Sequence, residues 1–92
     1  MFPQQQAVFS TYNINMSQVV EINNFFKTAV KNDVEEVRGK IILSERQEFI
    51  FDHYYLKKQN VNFIADSLFI SPEVINRELR IIREKIAKIL GV

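Results

Sequence analysis

Apolar residues recur along this chain at three- and four-residue steps, with no β-type alternation of useful length, and that spacing predicts helices. The most sustained run is Ile75, Leu79, Ile82, Ile86 and Ile89. It opens at Ser71-Pro72, an N-cap hydroxyl followed by proline at the first helical position, and Gly91 is placed to stop it. A second stripe, Val19, Ile22, Phe26, Ala29 and Val30 with Phe25 beside it, predicts a helix from an N-cap at Ser17 to about Lys31, with Asn32 ending it.

Between these lie three shorter elements. Asp33 and Glu36 form a capping-box pattern, so a helix is expected to start at Asp33; Gly39 weakens it by ~1 kcal/mol relative to alanine. A helix start also accounts for the paired Glu35 and Glu36 better than acid–base chemistry does. Ser44 and Gln47 repeat the capping-box pattern and open a helix to about Lys58, with Leu43, Ile50, Phe51 and Tyr54 on its buried side. Lys57 and Lys58 suit the negative end of its dipole. Asn60 then caps a very short helix carrying Phe63, Ile64, Ala65 and Leu68, and Phe69-Ile70 makes a tight apolar connection. The fold class is therefore all-α: about five helices, with a flexible N-terminal arm at 1–16 and one helical domain at 17–92.

Composition narrows the chemistry. Hydrophobic residues make up 47% of the 92, with two Gly and two Pro, which is globular. A chain this short buries only about 60–65% of its unfolded surface, so a dense core or a partner is needed. There is no cysteine, which excludes disulfides, thiolate nucleophiles and cysteine-based zinc sites. No run approaches ~18 apolar residues, so no membrane span is expected, and Met1 to Gln6 lack the regions of a signal peptide. The expected location is the cytoplasm. No enzyme activity, metal or cofactor is expected: His53 is the only histidine, and no glycine-rich phosphate loop or His-Glu-x-x-His pair exists.

The short helix, three- to four-residue turn and long capped helix at 60–90 make the layout of a helix-turn-helix. Ile64, Leu68, Ile70, Ile75 and Leu79 can bury together only if the two helices cross steeply, with Ala65 at the close contact. One face of the second helix would then be lifted clear of the core, able to enter a DNA major groove. The outward positions near its start are Glu73, Asn76, Arg77 and Arg80. Arginine can bond a guanine edge bidentately, asparagine an adenine edge, and glutamate can accept from cytosine. Arg46, Lys57, Lys58, Ser71 and Arg83 are candidates for phosphate contacts, which set register but not sequence.

Leu43-Ser44-Glu45-Arg46-Gln47, then Ile64-Ala65, Leu68-Phe69-Ile70-Ser71-Pro72, Ile75, Ile82 and Lys85-Ile86, resemble the DNA-binding domain of LuxR/GerE-type transcription regulators. The layout is also similar to region four of sigma factors and to related phage regulators. The resemblance covers residues 43–86 and implies sequence-specific binding of double-stranded DNA by a bacterial or phage regulator, reading bases from the same helix face. This sequence departs from the family pattern in four places. Val74-Ile75 stands for Thr-Val, Glu73 for an often basic residue and Glu78 for a histidine, and one extra residue lies among Tyr55 to Asn60. Family members usually dimerise through a further helix. Here the expected homodimer surfaces are the 17–31 helix or the end of the last one, with RNA polymerase or another regulator as possible protein partners.

Charge opposes the DNA expectation in part. The net charge is +1, and residues 44–92 hold eight basic and seven acidic side chains. Acidic Glu73 and Glu78 fit an alternative, a helix-turn-helix protein-interaction module without DNA binding, or more narrowly a phage packaging subunit. In that case the charges would form an ordinary solvated face with pairs such as Glu73–Arg77 and Arg80–Glu84.

Overall fold

The computed structural model describes residues 15–92, and the expected arm therefore lies, up to residue 14, outside the described residues. Five α-helices and no strand are present among them: α1 Met16–Thr28, α2 Lys31–Lys40, α3 Glu45–Phe51, α4 Val61–Leu68 and α5 Pro72–Leu90. α3 runs on without a break into a π-helical turn, Asp52–Leu56. The all-α class is as the sequence predicts.

Capping chemistry sets most of the boundaries. The side chain of Asn15, not of Ser17, starts α1: it accepts from Gln18 N at 2.9 Å while Gln18 Oε1 accepts from Asn15 N at 3.1 Å. Asparagine is as good a cap as serine, and only Asn15 has a glutamine three residues on to return the bond. α1 also ends early, because Ala29 and Val30 take extended backbone. α2 consequently starts at Lys31 rather than Asp33, with no side-chain cap, and Asp33 falls within its first turn. The capping box at Ser44 and Gln47 forms as expected, as do the caps at Asn60 and Ser71. Gly91, at φ 76°, ends α5 with its N–H on the Ala87 carbonyl.

All five helices contribute to one core. Ile22 and Phe26 come from α1, Val37 from α2, Ile50 and Phe51 from α3, Ile64 and Ala65 from α4, and Ile75, Leu79, Ile82, Ile86 and Ala87 from α5. Tyr55, from the π turn, stacks on Phe26 with ring centroids 4.3 Å apart. Ala65 is buried in the same core. Three apolar positions expected inside lie at the surface: Val30 is exposed, Phe63 is half-exposed, and Ile89 gives way to Ala87 and Leu90. A strict seven-residue step drifts ~20° per repeat around a straight helix, which carries Ile89 off the face begun by Ile75.

Candidate nucleic-acid interface

Three residues, Phe69 to Ser71, join α4 to α5. α4 closes with the Ile70 N–H on the Ala65 carbonyl and with Phe69 in left-handed backbone at φ 59°. Glycine ordinarily takes that conformation; here a phenylalanine does, with its side chain almost wholly in solvent (94% exposed). The chain then turns into α5, where Ser71 Oγ accepts from Val74 N.

With Ile75, Leu79 and Ile82 buried, helical spacing turns Glu73, Asn76, Arg77 and Arg80 outward together. All four are exposed and line one shallow cleft of about 340 Å³. Neither intrahelical pair that would neutralise them, Glu73–Arg77 or Arg80–Glu84, is formed. The salt bridges among the described residues are Arg38–Glu48, Arg38–Asp52, Lys40–Glu36 and Arg46–Glu78. Asn76, Arg77 and Arg80 have no side-chain hydrogen bond among the described residues either, so their donors face solvent. Two arginines and an amide on an exposed helix face can bond acceptors on base edges or phosphates.

The phosphate candidates divide. Lys57 and Lys58 are exposed in the connection before α4, and Lys58 is held at φ 58°. Ser71 is exposed, its hydroxyl serving the cap. Arg46 and Arg83 are committed elsewhere. Arg46 donates through Nε and Nη2 to Glu78. Arg83 is half-buried, bonding Tyr55 OH through Nε at 3.3 Å and Tyr54 OH through Nη2 at 3.4 Å. Its guanidinium is thereby engaged within the fold, unlike those of Arg77 and Arg80, with which the sequence groups it.

Glu78 is not on the outward face. It is 9% exposed and accepts from Arg46 and from Gln47 Nε2 at 2.9 Å, fastening α5 to the start of α3. Burial pushes its carboxyl up, but bonds from Gln47 and Arg46 and the charges of Arg46 and Arg77 outweigh that, leaving it below the ordinary glutamate value. The spacing contained the signal: position 78 lies three residues after Ile75 and four before Ile82, on the buried stripe itself. Tyr55 is shifted the other way, raised by burial against the opposing influence of Arg83.

The two expected dimer surfaces turn out to be neighbours. Gln18 Nε2 donates to the Val92 carbonyl at 3.2 Å, joining the start of α1 to the end of α5. Met16, Val20 and Val92 are exposed at this pole.

No helix among the described residues is long and apolar enough to cross a membrane. Nor is any group of three or more His, Cys, Asp or Glu side chains among them placed to hold a metal. The sequence matches no family model, no curated protein and no solved structure.

Proposed function

We propose that this chain binds double-stranded DNA through α4 and α5 as a cytoplasmic transcription regulator, with the outward face of α5 in the major groove. One observation carries the reading. Of the five arginines in the chain, Arg38, Arg46 and Arg83 are consumed by bonds within the fold, whereas Arg77 and Arg80 stand unpaired among the described residues, beside Asn76. A solvated helix face normally neutralises itself with pairs four residues apart, and two such pairs were open to this one. Glu78, whose charge favours a protein partner when placed on that face, is occupied inside. Glu73 remains on it and fits a cytosine amino group.

The test is binding to random and selected duplexes at several salt concentrations, read by fluorescence anisotropy. Affinity should fall with salt at a slope of about 0.9 per phosphate contact. Arg77→Ala and Arg80→Ala should relax sequence preference, each losing about 1–3 kcal/mol of discrimination, whereas Lys57→Ala should weaken all sequences alike. No binding to any duplex at low salt would refute the proposal and leave the protein-interaction module standing.

A further inference from the structure

A second cleft, of about 630 Å³, opens between α1, the π turn and the start of α4. Asn23 and Lys27, four residues apart on one face of α1, form one side; Lys58, Gln59 and Asn60 form the other, with Tyr54 in the wall. Its polar groups are ammonium, carboxamide and phenol, and no carboxylate lines it. These are the side-chain types that bond phosphate and sugar oxygens in protein–DNA complexes.

A contact between Arg83 and Tyr54 ties the cleft to α5. Arg83 lies three residues beyond Arg80, and its guanidinium bonds the Tyr54 hydroxyl and covers the Tyr54 ring, 5.8 Å from the centroid. Tyr54 in turn is part of the cleft wall. Tyr54 thus joins Arg83 of α5 to the wall that carries Lys58 and Lys27.

We infer that the α1–α4 cleft anchors the phosphodiester backbone of the duplex that α5 reads, extending the footprint onto α1 through Lys27, Asn23 and Lys58. This rests on the DNA reading of α5, which supplies the duplex. The anchor contributes affinity without sequence information.

The experiment compares the full chain with Lys27→Ala, Asn23→Ala and, as a control remote from the cleft, Lys88→Ala, after circular dichroism confirms equal helix content. Lys27→Ala should lower the salt slope by about 0.9, so that its affinity drops roughly 3.5-fold less than the parent's between 50 and 200 mM salt. Its sequence preference should not change. Asn23→Ala should weaken binding at an unchanged slope, and Lys88→Ala should match the parent. If the parent binds but Lys27→Ala keeps its slope, the anchor is overturned and the α5 reading survives. A changed sequence preference in Lys27→Ala would also overturn it, making Lys27 a base reader. No duplex binding by the parent would overturn both.

Discussion

Phe69 and Lys58 are the two non-glycine residues with positive φ among the described residues, and they bracket α4, one at each end. Left-handed backbone costs an L-residue roughly 1–2 kcal/mol, while glycine gives back about 0.5–1 kcal/mol in unfolded-chain entropy. Phe69 gains nothing from packing in return, since its ring is in solvent. Phe69→Gly should therefore stabilise the fold by about 0.5–1 kcal/mol and raise Tm by several degrees, measured by thermal unfolding. An unchanged or lower Tm would mean that the ring does more than its exposure indicates. Lys58 differs, because its side chain lines the α1–α4 cleft.

Among the elements, α5 was the most legible in the sequence and α1 and α2 the least. Proline at the first helical position and glycine after the last leave a mark that no neighbour alters, so both ends of α5 were fixed by local chemistry. The break at Ala29 and Val30 has no such mark; it sits inside an apolar run, where three-residue periodicity continues straight through. The π turn was equally silent. It is revealed by the Lys57 N–H reaching the Asp52 carbonyl five residues back, and the wider turn lets consecutive Tyr54 and Tyr55 both reach Arg83. Outward positions on α5 followed from its stripe, but the fates of Arg46 and Arg83 did not, because their partners lie 32 and 28 residues away.

The clamp between α3 and α5 gives the pH dependence its sign. The Glu78 carboxyl is held below its ordinary value of about 4.3, so its contribution is complete above that pH and is lost as pH falls through the lower folded-state value. Glu78→Gln should cost about 1–2 kcal/mol at pH 7, and the gap to the parent should narrow as the pH falls below the ordinary glutamate range, as followed by urea unfolding. A gap of constant size would remove the charge from the explanation.

For the whole molecule, a net charge of +1 sets the scale of the proposed binding. A monomer with a handful of cationic contacts should hold DNA weakly, and two copies on adjacent half-sites would hold it far better. The exposed Met16, Val20 and Val92 at the joined ends of α1 and α5 offer such a contact. Light scattering should show mass rising with concentration, and Val20→Glu should hold the protein at monomer mass while leaving Arg77-dependent preference intact. A parent that stays monomeric at every concentration, with and without duplex, would exclude this contact.

The bond between Gln18 and Val92 also decides where attached chain can go. α5 is 19 residues long, roughly 28 Å from first turn to last, so the carboxyl-terminal pole stands well away from Asn76 and Arg77. Whatever polypeptide is fused there, whether a fluorescent reporter or a second folded unit, departs beside the origin of the first helix and clears the outward face of Asn76 and Arg77. Joining Val92 to Asn15 by a short tether, with residues 1–14 removed, would keep all five helices in a circular permutant, and new ends could then be opened between Lys40 and Ser44.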